Sequence, residues 1–248
     1  DMLLYAVAAA VSAIPEGLPA VISVVLALGV QRMAAHQAIL RRLPAVETLG
    51  STTVICSDKT GTLTRNEMTV VTILAGGRQY DVTGTGYAPD GRLEHEGAPV
   101  SLEENRALRA GLTAAVLCND ARLRQRDGAW TIEGDPTEGA LLPAAIKAGL
   151  DPAALRAAHP ALDVIPFASE RLFMATLHAQ HDGTVIYLKG AVERLLPRCR
   201  ARLDADGVTV PLDAEAVRAA ADGLAAQGLR VLAFAMKPAA AGHTRLHP

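Results

Sequence analysis

The residues best suited to chemistry lie in one short polar segment that follows a β-branched run. Residues 49–57 lead into Asp58, Lys59, Thr60 and Gly61. An aspartate, with a reference pKa of about 3.9, is ionised at neutral pH and attacks phosphorus without a base to activate it. A shared Mg²⁺, the Lys59 ammonium and the N–H and hydroxyl groups of the Thr-Gly-Thr turn would reduce its repulsion from phosphate oxygens. The alternative is a surface turn in which Asp58 caps the next element and Gly61 supplies a positive φ.

This chemistry needs an element that positions the carboxylate. Residues 49–57 predict a buried strand that runs into a loop, which places Asp58 at the carboxyl end of that strand. In open α/β sheets, ligands bind at that end of the strands.

Between residues 67 and 238 the pattern alternates between helices and strands, which predicts a mixed α+β domain. Ser101 and Glu104 form a capping box that would open a helix toward Cys118, and Asp135 with Pro136 marks a second helix start. Strands are predicted at residues 162–167, 173–179, 184–188 and 229–236, with Asp182-Gly183 as the turn of the central hairpin.

The apolar run 3–30 contains Glu16 as its only charged residue. At about 1.5 Å per helical residue the run exceeds a bilayer core of about 30 Å, so it predicts a transmembrane helix; a signal peptide and a buried soluble helix are the alternatives. Arg32, Arg41 and Arg42 follow the run. Basic residues gather on the cytoplasmic side of membrane segments, so the chain after about residue 31 is predicted to be cytoplasmic.

Pro15, Glu16, Gly17, Leu18 and Pro19 interrupt the apolar run. The prolines and the glycine leave backbone carbonyls unpaired where no water is available, and an unpaired carboxylate at that depth costs at least about 2.5 kcal/mol. Carbonyls beside an acidic side chain make an all-oxygen site, which suits a hard cation such as Ca²⁺. The alternative is a proline kink used only for packing, with Glu16 near an interface.

The composition excludes several classes of protein. The 24 basic and 26 acidic residues give 248 residues a net charge of −2, which offers no electrostatic footprint for nucleic acid. Three cysteines without a CxxC pair argue against a disulfide framework and a structural zinc site, and favour a reducing, cytosolic setting for most of the chain. The sequence begins with Asp1 and ends without a closing element, so it is predicted to be a fragment of a longer polypeptide.

Two motifs together resemble a known family. The heptapeptide DKTGTLT at 58–64 resembles the signature of P-type ATPases, members of the haloacid-dehalogenase-like superfamily. IPEGLPA at 14–20, with ICSDKTGTLT at 55–64, is similar to the fourth transmembrane helix and phosphorylation loop of type II pumps, most of all calcium pumps of endoplasmic-reticulum type and their bacterial relatives. Pro19, where sodium pumps usually have leucine, favours calcium.

The resemblance implies ATP-driven cation transport through an aspartyl phosphate, with the rest of the pump polypeptide, a transported cation and the lipid bilayer as partners. Asp58 would accept the phosphate from ATP, Lys59 and Thr60 would share its catalytic loop, and Asp58 and Thr60 would hold Mg²⁺. The transported cation would be held by the Glu16 carboxylate and by the carbonyls of Val11, Ser12 and Ile14. The location implied is a bacterial plasma membrane.

Four further positions match the family's nucleotide-binding domain, each with an alternative. Glu138 would accept from the adenine amino group, or only complete a capping box with Asp135. Phe167 would stack on adenine, or belong to the core. Lys189, followed by Gly190, would lie along the base, or be a solvated surface charge.

The fourth position is Arg230, which would pair with phosphate oxygens, or lie on an exposed strand face. The sequence departs from the family in two places. Leu172 replaces a lysine that many animal calcium pumps have near the nucleotide, and Pro143 should shorten or kink the helix after Asp135.

The predicted fold class is α+β with one transmembrane helix, a partial Rossmann-like phosphorylation domain and an antiparallel-sheet nucleotide-binding domain. Its divisions are a broken transmembrane helix at 1–30, a stalk with the first strand and loop of the phosphorylation domain at 31–66, the nucleotide-binding domain at 67–238 and a tail at 239–248. Two other functions stay open. One is a soluble phosphatase, which would need a second aspartate where Thr60 stands. The other is a membrane-anchored nucleotide-binding module without catalysis.

Overall fold

The computed structural model describes residues 2–13, 15, 17–181, 183–239 and 242–247. The chain divides into two compact units, residues 1–63 and 64–248. Each is a separate body with its own elements.

The first unit is helical and carries the apolar run. Its helices are α1 (Met2–Ser12), α2 (Leu18–Ala35) and α3 (Ala45–Gly50). The predicted break is confirmed, because the first two helices are interrupted around Pro15, which has no N–H for a helical hydrogen bond. Among the described residues, one helix, Leu18–Ala35, is long and apolar enough by length and composition to cross a membrane. None of the described residues of this unit is buried.

The predicted buried strand at residues 49–57 is wrong in this structure. Helix α3 includes residues 49 and 50, and residues 51–58 are exposed and irregular. A strand persists only where a neighbour supplies partners for its backbone N–H and C=O groups. No strand among the described residues pairs with this segment, and the Rossmann-like sheet that it would begin is not present in them.

The described residues of the second unit form two four-stranded antiparallel sheets and two separate hairpins. The first sheet has the order β1-β2-β3-β4, with strands β1 (Thr72–Ala75), β2 (Arg78–Val82), β3 (Leu93–His95) and β4 (Ala98–Pro99). Tyr80, Val82 and Leu93 from this sheet pack with Leu108 and Leu112 in one buried cluster. The hairpins are β5 (Arg122–Arg126) with β6 (Ala129–Glu133), and β10 (Ala201–Leu203) with β11 (Thr209–Pro211).

The second sheet positions most of the candidate site. It has the order β12-β9-β8-β7, from β7 (Ala161–Ala168), β8 (Phe173–Gln180), β9 (Gly183–Gly190) and β12 (Ala233–Ala239). The central strand β8 is buried from Phe173 to His178. Helix α4 (Arg106–Leu117) packs on one face of the sheet, where Leu117 meets Met174, Val185 and Tyr187.

Five further α-helices follow α4 among the described residues. They are α5 (Pro136–Gly139), α6 (Leu141–Lys147), α7 (Pro152–Ala158), α8 (Val192–Leu195) and α9 (Ala214–Ala226). As predicted from Pro143, the helix after Asp135 is divided, into α5 and α6. A proline at 143 cannot donate to the Gly139 carbonyl, so the helical ladder is interrupted there.

The start of α4 differs from the prediction. Ser101 accepts a hydrogen bond from the Glu103 N–H at 3.3 Å, but it caps only a 3₁₀ turn at Leu102–Glu104. The cap of α4 is Asn105, whose side-chain oxygen accepts from the Leu108 N–H at 2.9 Å. Asn105 is extended (φ −146, ψ 102), so the two helical segments are separate.

The strands predicted at 162–167, 173–179 and 184–188 are confirmed, but the one at 229–236 begins later, at Ala233. The cause is the end of α9, where the Gly228 φ is 79 and the Leu229 N–H donates to the Leu224 carbonyl. Residues 228 and 229 thus belong to a helix C-cap. In the central hairpin, Gly183 begins β9 and pairs with Gln180, while its predicted turn partner Asp182 lies outside the described residues.

Candidate nucleotide site and catalytic loop

A buried ion pair lies at the end of the second sheet. The Lys189 Nζ is 2.7 Å from Glu138 Oε1, with side-chain exposures of 5% and 14%. Lys189 is near the end of β9, so it is not the solvated surface charge of the alternative interpretation. No second acceptor among the described residues reaches its ammonium, which has three N–H donors. Its remaining N–H donors therefore lack a protein partner among the described residues.

The start of α5 positions Glu138. Asp135 caps this helix through Oδ1, which accepts from the N–H groups of Thr137 and Glu138 at 2.8 and 3.2 Å, and Pro136 occupies the first helical position. The Glu138 carboxylate does not complete a capping box. Its Oε2 accepts from the Asp120 N–H at 2.9 Å, and its Oε1 faces Lys189.

The turn after α4 supports this carboxylate. Asn119 is buried there, and its amide donates to the carbonyls of Ala115 and Glu138 at 3.0 and 2.8 Å, while its Oδ1 accepts from the Ala121 N–H. The Asn119 side chain thus joins α4, α5 and the segment that enters β5.

Arg230 reaches the same helix start. Its Nη1 donates to Thr137 Oγ1 at 2.9 Å, next to Glu138 in sequence. Arg230 is exposed and precedes β12, so it is not on a strand face as the alternative interpretation had it. The structure therefore brings three of the sequence-predicted residues, Glu138, Lys189 and Arg230, to one place.

Phe167 lies near the end of the edge strand β7. Its side chain is 54% exposed, which rules out the core alternative. The pairing of β7 with β8 shifts between Ile165 and Ala168, and such an irregularity re-aims the side chains beside it. Ala168 pairs with Phe173, which pairs with Gly190, so Phe167 lies toward the same end of the sheet as Lys189.

Gly190 lets β9 approach β8 closely. A Cβ at this position would lie 2.4 Å from the Leu172 carbonyl oxygen and 2.7 Å from the Phe173 Cβ. The next residue, Ala191, donates its N–H to that carbonyl at 3.0 Å. Only glycine fits this contact without a backbone shift.

Burial controls the ionisable groups around the ion pair. It raises the pKa of the Cys118 thiol to about 11, partly offset by the nearby Lys189 charge, so Cys118 is a neutral thiol at physiological pH. Burial also lowers the pKa of the Arg156 guanidinium, and Arg122 acts in the same direction. Asp120 and Glu138 oppose that shift.

The loop of Asp58 is exposed in the first unit. Ser57 Oγ donates to the Asp58 carbonyl at 3.2 Å. Residues Lys59–Leu63 form an irregular turn, in which Thr60 is extended and Gly61 has a φ of 76. The positive φ at Gly61 is the one expected for a turn, and the carboxylate of Asp58 is accessible.

Asp58 and Thr60 do not form a magnesium site by themselves. Mg²⁺ takes about six oxygen ligands, and protein carboxylates usually share it with substrate phosphates and water. Among the described residues, no group of three or more His, Cys, Asp and Glu side chains could hold a metal ion.

The predicted cation ligands are only partly described. Val11 and Ser12 lie in the last turn of α1, where Pro15 has no N–H to donate to the Val11 carbonyl. Ile14 and Glu16 lie outside the described residues.

Sequence reasoning missed three residues of the second unit's site: Thr137, Asn119 and Arg156. Thr137 stands inside the segment GDPTEGA at 134–140, and Asn119 is a polar residue shortly after the apolar helix α4, so both gave a usable signal. Arg156, in a short amphipathic helix, has the pattern of a surface residue and gave none.

Comparisons with known proteins match most of this chain. The family described as P-type ATPase, cytoplasmic domain N, matches residues 107–245, more than half of the chain. A cation-transporting ATPase of Synechocystis sp. is 52% identical over 96% of this chain and 27% of its own length. A probable cation-transporting ATPase F of Mycobacterium tuberculosis is 52% identical over 93% and 26%. A calcium-transporting ATPase of Bacillus subtilis is 42% identical over 98% and 28%.

The chain thus spans about a quarter of the length of the curated relatives that it matches. On the match over residues 107–245, the chain belongs to the P-type ATPase family.

Proposed function

We propose that this chain is the nucleotide-binding and phosphate-accepting part of an ATP-driven cation pump. The observation that carries the proposal is the buried Lys189 ammonium, which has one carboxylate partner and donors to spare. A buried ammonium whose remaining N–H donors are unsatisfied is costly, and an acceptor-rich ligand removes that cost. Membership of the P-type ATPase family supports ATP as that ligand.

Each residue of the site has a distinct role in ATP binding. A carboxylate accepts about four hydrogen bonds, and Glu138 uses two, so it retains capacity for the adenine amino group. The exposed ring of Phe167 offers a face for stacking. Lys189 lies along the base, with Gly190 keeping the strands close, and the Arg230 guanidinium pairs with phosphate oxygens.

Phosphoryl transfer then uses the exposed carboxylate of Asp58. One carboxylate oxygen attacks the γ-phosphorus, the bond from that phosphorus to the β,γ-bridging oxygen breaks, and ADP leaves with the electron pair. Lys59 offsets the charge of the attacked phosphate, and Thr60 offers no second carboxylate to activate water against the product. The acyl phosphate is therefore long-lived. Asp58 and Thr60 are the residues of this chain that would contribute to a Mg²⁺ site completed by other ligands, where the ion would offset the charge of the phosphate.

The transported ion is held at the break between α1 and α2. The carbonyls of Val11, Ser12 and Ile14 and the Glu16 carboxylate offer oxygen ligands only, which favours calcium. One relative is named a calcium-transporting ATPase, in keeping with this choice. The pump would sit in a bacterial plasma membrane, with the second unit in the cytoplasm.

Nucleotide binding by the 248-residue chain in detergent micelles tests the proposal. We expect ATP binding measurable by isothermal titration calorimetry. Lys189→Met should weaken ATP affinity by about ten- to a hundredfold, because hydrogen bonds to a charged group contribute about 1.5–3 kcal/mol. Lys237→Met is the matched control, since Lys237 is an exposed lysine on the neighbouring strand β12. Equal affinity in both variants, or no ATP binding by the unsubstituted chain, would overturn the proposal.

A further inference from the structure

We infer that Arg156, a residue of α7, is a positioning residue that sets the selectivity of the site for adenine. It acts through the turn formed by residues 119–121, which holds the Glu138 carboxylate. The inference rests on the proposed function, because it assumes that Glu138 accepts from the adenine amino group.

The Arg156 guanidinium contacts the backbone of this turn directly. Its Nη2 donates to the carbonyls of Asn119 and Ala121, at 3.0 Å each, and its Nε lies 3.4 Å from the Val116 carbonyl. These carbonyls lie in the last turn of α4 and just after it, where helix geometry leaves C=O groups without partners and favours a cation. One guanidinium therefore fixes three points of the chain around the end of α4.

Asp120 connects this turn to the nucleotide site. Asp120 lies between the two carbonyls that share Nη2, and its N–H donates to Glu138 Oε2 at 2.9 Å. With the carbonyls on both sides held, the direction of that N–H is held as well, because each peptide unit is planar. The orientation of the Glu138 carboxylate toward a base thus depends on Arg156.

Burying an arginine at this position costs free energy. The burial that lowers the pKa of Arg156 also makes its placement unfavourable, and among the described residues no carboxylate forms an ion pair with it. Its donors go to backbone carbonyls instead, in a planar fork that lysine lacks. The buried guanidinium therefore fixes the conformation of the turn, at a desolvation cost that an exposed arginine on the surface would not have.

The experiment compares ATP with GTP, because guanine has a carbonyl where adenine has the amino group. The 248-residue chain in detergent micelles is titrated with each nucleotide by isothermal titration calorimetry. Arg156→Gln should lower ATP affinity about tenfold, the equivalent of about one hydrogen bond, and change GTP affinity less than about twofold. Arg218→Gln, an exposed arginine on α9, is the matched control and should leave both affinities unchanged.

A purely structural role would lower both affinities together, and that result would overturn the inference, as would an unchanged ratio of affinities. Arg156→Lys keeps the charge but not the fork, and should reduce the ratio partly; if Arg156→Gln fails to fold, a normal ratio in Arg156→Lys is the contradicting result. The variant Glu138→Gln distinguishes a failure of the inference about Arg156 from a failure of the proposed function. If it abolishes the preference for ATP while Arg156→Gln does not, only the inference fails, whereas no ATP binding by the unsubstituted chain contradicts the proposed function itself.

Discussion

The two units carry the proposed chemistry in opposite ways. Asp58 stands in a sequence motif of high specificity, yet its loop is exposed and no described strand supports it. Lys189 and Glu138 stand in weaker motifs, yet both side chains are largely buried and held by named partners. A sequence motif indicates the role of a segment in a complete active site. Burial and hydrogen bonds show which side chains this chain positions by itself. The second unit is therefore expected to bind nucleotide through its own contacts.

The largest effect is expected at Asp58, and it separates the two units. In a full-length pump that contains this chain, Asp58→Asn should abolish the hydroxylamine-sensitive phosphoenzyme formed from γ-labelled ATP, because an amide is not a nucleophile toward phosphorus. ATP affinity of the isolated chain should stay within about twofold. Retention of the acid-stable label in Asp58→Asn would remove Asp58 from the mechanism.

The ion pair offers the next largest effect, now on stability. Glu138→Gln or Lys189→Met alone leaves a buried charge unpaired, so each should lower the free energy of unfolding by about 3–5 kcal/mol. The double variant should recover much of that loss without recovering ATP binding. Urea unfolding followed by the fluorescence of Trp130, the single tryptophan, reports on the second unit alone. Additive losses in the double variant would contradict a coupled pair.

Gly190 tests how tightly the site is packed. Gly190→Ala should destabilise the second unit by about 1–3 kcal/mol, because its Cβ would overlap the Leu172 carbonyl. Gly223→Ala is the matched control, since a Cβ there meets nothing within 4 Å and alanine favours the helix α9 by about 0.5–1 kcal/mol. The same Trp130 signal measures both, and equal shifts in the two variants would argue against a constrained strand contact.

The smallest predicted effect concerns acid. Burial lowers the pKa of His178 below 6.5, and its Nδ1–H donates to the His159 carbonyl at 2.8 Å. The unfolded chain therefore binds the proton more readily, so stability is constant above about pH 6.5 and falls below it, by at most about 1.4 kcal/mol per pH unit. The fall ends once the pH passes the folded pKa. His178→Gln should flatten this dependence, and an unchanged slope would assign the acid sensitivity elsewhere.

The sequence predicted the second unit better than the first, for physical reasons. Strands at 162–167, 173–179 and 184–188 are short, largely apolar runs that lie between turn residues, so local pattern was enough. The segment 49–57 has an equally good strand pattern, but a strand also needs neighbours, and pattern contains no information about them. The strand predicted at 229–236 begins later than predicted because Gly228 and Leu229 belong to the C-cap of α9.

The candidate site shows the same division. The sequence identified Glu138, Lys189 and Arg230 through motifs, but not that Glu138 pairs with Lys189 or that Arg230 contacts Thr137. These contacts join residues about fifty and ninety positions apart, and nothing local to either partner specifies them. Arg156 was missed for that reason, because its partners lie in the turn after α4, 37 and 35 positions away in sequence.

The position of the interruption between Ser12 and Leu18 has a consequence for how ion binding responds to membrane potential. At about 1.5 Å per residue, the apolar part of α2, up to residue 30, is about 20 Å long. In a pump, an ion held at the interruption would sit inside the bilayer core, within the voltage drop across the membrane. Moving one charge through the whole of a 100 mV drop involves about 2.3 kcal/mol, so a divalent ion that leaves the interruption exchanges a part of about twice that energy. Ion affinity measured from either side would then vary with membrane potential.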